Sequence, residues 1–240
     1  MTIHYATQLY HHPRAETRER MQATLEHNLS LPCISRATVL LDGCSNPWER
    51  QGVRAIQLDR HATFADFLAL AASSDHGDPQ HLLFANSDIR LESSIEQLAT
   101  SLRNNASVAC LTRRELSGSF AAGLDPPQSQ DAWMVRCHRI DRLLLEQLAG
   151  LRLGVPGCEH LLAATLVAHG YDLWNPCIDC KVVHTDPFPM AHSPSGKRYW
   201  GFYAYIPTCR IEDVEHKRPD VIFTLAQKPD RYFAVGVYGS

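Results

Sequence analysis

Short apolar runs alternating with segments of helical spacing fill roughly the first hundred residues, and this alternation limits the possible folds more than any other feature of the chain. Ile3 to Gln8 is compatible with a strand, and Arg14 to Leu31 carries Met21, Leu25 and Leu29 on one helical face before Pro32 stops it. Ala37 to Leu41 is a run suited to a strand buried on both faces, and Asp42-Gly43-Cys44-Ser45-Asn46-Pro47 ends it with a loop signal. Arg54 to Leu58 reads as a strand. Thr63 to Ala72 reads as a helix entered through a Thr cap with Asp66 three residues on. His81 to Ala85 is another buried strand, Ser93 to Asn104 a helix, and Ser107 to Thr112 a strand. The pattern predicts an α/β fold with a doubly wound, mostly parallel central sheet and flanking helices.

The second half is less regular. Ala132 to Arg136 reads as a strand, Arg139 to Leu148 as a helix, and Gly154 to Cys158 as a loop that launches a helix over Glu159 to His169. Tyr171 to Asn175 and Lys181 to His184 are short strand candidates. Beyond Asp186 the chain is rich in Pro, Gly and aromatics, which predicts an ordered but irregular region. The expected organisation is one domain over residues 1–205, with an extension over 206–240 packed on it.

Composition narrows the class. The 240 residues are 45% hydrophobic and 20% charged, with a net charge of −3 and no long basic run, so a nucleic-acid-binding role is not indicated. The N-terminus lacks the basic flank and apolar core of a signal peptide, and no stretch has the ~18 apolar residues of a membrane span. A soluble, cytoplasmic protein is expected. Among eight cysteines only Cys177-Ile178-Asp179-Cys180 has metal-ligand spacing, and no second pair completes a zinc site, so buried thiols are the preferred reading.

In an open parallel sheet, ligands bind beyond the carboxyl ends of the strands. Asp42-Gly43-Cys44-Ser45 and Asn86-Ser87-Asp88 fall there. A carboxylate such as Asp88 can hold a divalent cation, or simply cap a turn. These residues resemble glycosyltransferases of the GT-A type, with a Rossmann-like nucleotide-sugar-binding fold. Leu41 to Ser45 looks like the loop whose acidic residue contacts the donor base, and Leu82 to Asp88 looks like the strand ending in the metal-binding DxD. Gly157-Cys158-Glu159, with a helix closing at Gly170, resembles the family's late acidic motif. Lys181 to His184 resembles its late strand ending in a metal-ligating His. The resemblance covers residues 3–205 and is nearest to bacterial members sharing the stretches Ser129 to Trp133, Gly154 to Glu159 and Asn175-Pro176. The sequence departs at Asn86, where the family usually has Asp.

The resemblance implies transfer of a sugar from a nucleotide-diphosphate donor to an acceptor hydroxyl, with inversion. The acceptor would be a glycan or lipid-linked glycan of the cell surface, which allows peripheral association with a membrane. It implies Mg²⁺ or Mn²⁺ on Asp88 and His184, Glu159 as general base, and Gln8, Asp42, Arg60, Asn86, Ser87, Lys197 and Arg198 on the donor side. Asp131 and Trp133 would face the acceptor. At a helix start, Glu159 is expected to stay ionised through the helix dipole. An aromatic in a strand such as Trp133 is more often core, Arg60 reads equally as solvated charge, and Tyr199 to Tyr205 as a lid or acceptor surface or equally as a packing layer beneath the sheet. Two other readings stand beside this one. The first is a non-catalytic nucleotide-sugar-binding module in a larger assembly. The second is a sugar-phosphate nucleotidyltransferase, against which Thr7 to Arg14 counts because it contains no glycine.

Overall fold

The computed structural model describes residues 2–44, 52–72, 80–120, 129–138, 140–186, 198–226 and 237–238. The elements run β1 (Ile3–Tyr10), α1 (Ala15–Leu29), β2 (Ile34–Asp42), β3 (Val53–Leu58), α2 (Phe64–Ala72), β4 (His81–Ala85) and β5 (Ile89–Leu91). They continue with α3 (Ile95–Ser101), β6 (Ser107–Leu111), β7 (Ala132–Arg136), α4 (Arg142–Leu148), α5 (Cys158–Ala168) and β8 (Asp172–Trp174). The last are β9 (Val182–His184), β10 (Gly201–Tyr205), α6 (Asp213–His216), β11 (Val221–Ala226) and β12 (Val237–Tyr238).

A seven-stranded sheet in the order β3-β2-β1-β4-β7-β6-β8 carries the fold. β3, β2, β1 and β4 are mutually parallel, as the apolar runs Ala37 to Leu41 and His81 to Ala85 predict for β2 and β4. β7 lies antiparallel to both β4 and β6, and β8 returns parallel to β6. The two-residue period of the strands divides the core in two. On one face Tyr5, Leu83, Ala109 and Met134 meet Met21 and Leu25 of α1 and Leu98 of α3. On the other, Leu82, Phe84, Val108 and Trp133 meet Phe67 of α2, Leu144 of α4 and Leu162 of α5.

Burial on both faces is the physical reason β4, β6 and the Ala37 to Leu41 stretch of β2 show no polar alternation. The entry to α2 follows its sequence signal: Asp66 accepts the backbone N–H and the hydroxyl of Thr63 at 2.7 and 2.8 Å. The region expected to be irregular after Asp186 holds regular structure, because β10 pairs antiparallel with β11, and β11 with β12.

Two local devices fix the strands that carry the site. Buried Asn28 of α1 accepts the N–H of Leu91 at 2.9 Å and donates to Ile89 O and the Tyr5 hydroxyl, each at 3.0 Å, which ties β5 to the helix. β5 in turn pairs antiparallel with β9, opposing Ile89 to His184. At the start of α5, Gly157 has φ of 87°, and a side chain there would collide with the Tyr203 hydroxyl and meet Tyr199 O at 2.8 Å. Only glycine combines that dihedral with so close an approach of β10 and the segment leading into it.

Candidate active site

A connected group of polar side chains gathers beyond the carboxyl ends of β4 and β6, where the antiparallel β7 begins. Asp88 follows β4 and His184 closes β9. Their side chains meet with His184 Nε2 at 3.1 Å from Asp88 Oδ2, while Asp88 O accepts both the N–H and the hydroxyl of Thr185 at 2.8 and 2.9 Å. Asp131 enters from the residue before β7, because an antiparallel strand presents its start at the edge where its parallel neighbours end. Its N–H donates to Leu111 O and its carbonyl accepts from the Asn86 N–H, both at 3.1 Å, so its backbone is held between β6 and β4.

The Asp131 carboxylate is almost completely buried and accepts from Asn86 Nδ2 at 3.0 Å, from Arg113 at 3.2 Å and from the Ser129 hydroxyl. These contacts account for Asn86. An aspartate at that position would set a second carboxylate against Asp131, whereas the amide donates to it.

Arg113 was not singled out in the sequence. It follows β6 in the basic pair Arg113-Arg114, and its side chain is only 14% exposed. Asp131 above all, then Asp88 and Glu115, hold its guanidinium charged and raise its pKa further, against the opposing effect of burial. Glu115 also escaped the sequence reading. It lies with Oε1 3.9 Å from Arg113 Nε and Oε2 3.7 Å from His184 Nδ1. The signal that could have found both residues is their position two to four places past a buried strand end.

Glu159 stands in the first turn of α5 and keeps some solvent exposure, but the protein packed around its carboxyl removes most of the hydration. Burial, with the charge of Asp131 second, pushes its pKa up to about 7, against the pull of its own backbone N–H, Cys158 and Arg113. The helix dipole expected to keep this carboxylate ionised near neutral pH is therefore opposed. Desolvation and a neighbouring carboxylate outweigh it. Burial opposes the charged form of His184, yet the hydrogen bond and charge of Asp88, with Asp131 behind, raise its pKa.

A second polar group lies past the parallel half of the sheet. His61 Nδ1 is 2.8 Å from Asp42 Oδ2 and 2.8 Å from the Gln8 side-chain amide, and the tautomer of the ring decides which it bonds. The Tyr10 ring lies 5.6 Å from that imidazole.

The remaining predicted residues fall elsewhere or in other roles. Arg60 puts both arms on Asp66, at 2.7 and 2.8 Å. Ser87 is buried beside Asp88, and Arg198 is exposed with its guanidinium 5.1 Å from the Trp200 ring. Lys197 lies outside the described residues. Trp133 offers no face to a sugar: it is fully buried, donates its indole N–H to Gln130 O at 3.1 Å and packs edge-on against Phe64. It is core. Of the late aromatics, Tyr203 is buried while Phe202 is exposed, so the segment is at least partly a packing layer.

A divalent cation, the cofactor that this kind of site would take, can be tested against the residues present. Ligands at right angles around an ion with bonds of about 2.1 Å lie about 3 Å apart. The 3.1 Å between Asp88 Oδ2 and His184 Nε2 matches that spacing, so the pair fits two adjacent positions of one ion. Among the described residues no three His, Cys, Asp or Glu converge as a metal cage, so this pair by itself supplies only part of a coordination shell. The cysteines are free, and Cys177 and Cys180 are fully buried. A cavity of about 720 Å³ opens at the opposite end of the sheet, beside Arg103, Tyr171, Trp174 and Lys217, away from all of these carboxylates. No helix among the described residues is long and apolar enough to cross a membrane.

No family model matches the chain, and no curated protein does. Solved structures are similar to it. The mannosyltransferase PcManGT from Pyrobaculum calidifontis, determined with GDP-Man and Mn²⁺, aligns at a TM-score of 0.52 and 11% identity over 78% of this chain and 58% of its own. A 4-diphosphocytidyl-2C-methyl-D-erythritol synthase from Anaerococcus prevotii aligns at 0.47 and 8% identity, over 71% of this chain and 85% of its own. A putative nucleotide-diphospho-sugar transferase from Desulfovibrio desulfuricans aligns at 0.47 and 8% identity, over 72% and 79%. This chain thus spans little more than half the length of the mannosyltransferase. At such identities the likeness is one of fold, and the fold is an α/β domain of the GT-A, Rossmann-like kind.

Proposed function

We propose that this chain is a glycosyltransferase that moves a sugar from a nucleotide-diphosphate donor to an acceptor hydroxyl. The observation that carries the reading is the convergence of Asp88, His184, Asp131 and Glu159 beyond the carboxyl ends of the strands, on a GT-A-type sheet. Open α/β sheets bind their ligands at that edge. Asp42 and Gln8 would meet the donor base. Ser87, Lys197 and Arg198 would lie along the rest of the donor, with Arg60 joining them only by releasing Asp66.

Mg²⁺ or Mn²⁺ held by Asp88 and His184 would supply charge neutralisation to the departing diphosphate. Arg113 would add a fixed positive charge to the same space, already oriented by Asp131. Glu159, with a pKa of about 7, would take the acceptor proton as its oxygen attacks the anomeric carbon. A single base without a positioned nucleophile suits direct displacement and inversion. The acceptor would be a glycan or a lipid-linked glycan.

One observation favours a second reading, a nucleotide-sugar-binding module without catalysis. Asn86 is spent on Asp131, which leaves Asp88 as the only carboxylate of the DxD-like segment. A thermal-shift panel separates the two readings, because a ligand of the folded state raises Tm by mass action. UDP, GDP, CDP and dTDP and their sugars would each be tested with and without Mn²⁺, followed by assay for donor hydrolysis. Stabilisation by one nucleotide only with metal, together with turnover, is the expected result. Binding without any turnover supports the module, and no shift with any nucleotide in a folded sample removes the nucleotide-sugar reading.

A further inference from the structure

The inference concerns the far nitrogen of His184 and rests on the reading that Asp88 and His184 hold a cation. An imidazole binds a metal ion through one unprotonated nitrogen, so the other must carry the proton and hand it to an acceptor. Here Nε2 faces Asp88. The side chain is 6% exposed, and Nδ1, on the opposite side of the ring, has no hydrogen-bond partner among the described residues. A buried N–H left in that state carries a desolvation penalty that opposes the tautomer a cation needs. Among the described residues a carboxylate oxygen faces it, Glu115 Oε2, at 3.7 Å from Nδ1 and just beyond hydrogen-bond range.

The backbone places Glu115 there. Arg114 N–H donates to Val182 O, and His184 N–H donates to Arg114 O, both at 2.8 Å, so the segment after β6 runs in register with β9. A tight turn follows, closed by Gly118 N–H on Glu115 O and Glu115 N–H on Ser119 O, both at 2.8 Å. Within this frame the carboxylate is about a third exposed, so protein does not enclose it on every side. Its other oxygen, Oε1, lies 3.9 Å from Arg113 Nε, and Arg113 is anchored on Asp131. The two oxygens thus have two separate neighbours, and Oε2 is the one turned to the ring.

We infer that Glu115 is a positioning residue for the cation site: it accepts the proton of His184 Nδ1 and so keeps Nε2 free to bind the ion beside Asp88. It touches neither the ion nor the donor. The role predicts a graded effect, because Gln at this position can still accept the proton through its carbonyl but without charge, whereas Ala cannot accept it at all.

The test measures Mn²⁺ binding to the full chain, by calorimetric titration and by the electron paramagnetic resonance of free Mn²⁺. Wild type, Glu115→Gln, Glu115→Ala and His184→Ala would be compared, with Tm in the absence of metal as the folding control. Loss of a partner to a ligating His typically weakens the metal 10–100-fold. That loss is expected for Glu115→Ala, a smaller one for Glu115→Gln, and the largest for His184→Ala, with the metal-free Tm of both Glu115 variants close to wild type. Glu115→Ala binding Mn²⁺ like the wild type, while His184→Ala does not, would overturn the role of Glu115 and leave the cation site standing. Should Glu115→Ala fail to fold, Glu115→Gln decides, and an affinity equal to wild type there overturns the role. Absence of Mn²⁺ binding in the wild type, or equal binding by His184→Ala, overturns the cation site and this inference together.

Discussion

The two halves of the sheet end in polar groups of different construction. Past the parallel half, β3-β2-β1-β4, the Gln8–His61–Asp42 group is assembled from strand ends and the residues just after β3, and both His61 and Asp42 stay near a third exposed. Past the mixed half, β7-β6-β8, the group has a buried centre of Asp131, Arg113 and His184 and is crowded with charge: one guanidinium among three carboxylates, of which Asp88 and Glu115 reach solvent, with Glu159 close enough to feel Asp131. The insertion of antiparallel β7 makes the difference. It brings a carboxylate from the start of a strand to the edge where the parallel strands finish, and the pairing of β5 with β9 closes the other side. The first group is suited to recognising a ligand in water. The second has the desolvation and opposed charges that shift pKa values, as chemistry requires.

The strongest test of that contrast is Glu159→Gln. Removal of a general base lowers kcat about 10²–10⁴-fold, and nucleotide-sugar binding should be unchanged. The sign of the pH dependence follows from the raised pKa. Glu159 is protonated and inactive as a base below about 7 and ionised above it, so kcat/KM should rise with pH through about 7. Equal activity of wild type and variant in steady-state assays would remove the chemistry from the mixed half.

Trp133→Ala probes the packing beneath the same group. The indole is fully buried on β7, and deletion of such a side chain costs about 3–5 kcal/mol. Urea unfolding should show that loss in full. If stability fell by less than about 1 kcal/mol while activity collapsed, Trp133 would be a sugar platform after all and not core.

Asp42→Ala addresses the parallel half and should have the smallest effect. A hydrogen bond from a ligand to a charged group is worth about 1.5–3 kcal/mol, so donor affinity should fall about 10–150-fold. The pH midpoint set by Glu159 should stay where it is. A change in that midpoint with donor affinity intact would mean that the two groups act as one.

The legibility of the sequence follows the same division. β4 and β7 were readable to the residue, because strands buried on both faces must be continuous apolar runs. Asp88 and His184 were nominated from motif order, and the folded chain does bring their side chains to 3.1 Å across 96 residues of sequence. Arg113 and Glu115 were missed, since the segment Arg113-Arg114-Glu115 is indistinguishable locally from solvated surface charge. Their burial against Asp131 and His184 depends on the pairing of Arg114 with β9, a contact between distant segments. Arg60 shows the converse. A cation after a strand reads as a phosphate ligand, yet both of its arms are taken by Asp66, the residue that caps α2.

What the sequence determined by itself was everything governed by local periodicity and local backbone demands. That includes the alternation of strands and helices, the mostly parallel class of the sheet, the capped entry to α2 and the loop that launches α5. What only the tertiary structure decided was the direction of β7, the company that Asp131 keeps and the ionisation of Glu159. The reason is electrostatic: a pKa and an ion pair depend on which charges share a desolvated space, and that is fixed by strand pairing over long separations. The helix dipole acting on Glu159 could be read from a single turn of sequence. The burial and the Asp131 charge that override it could not.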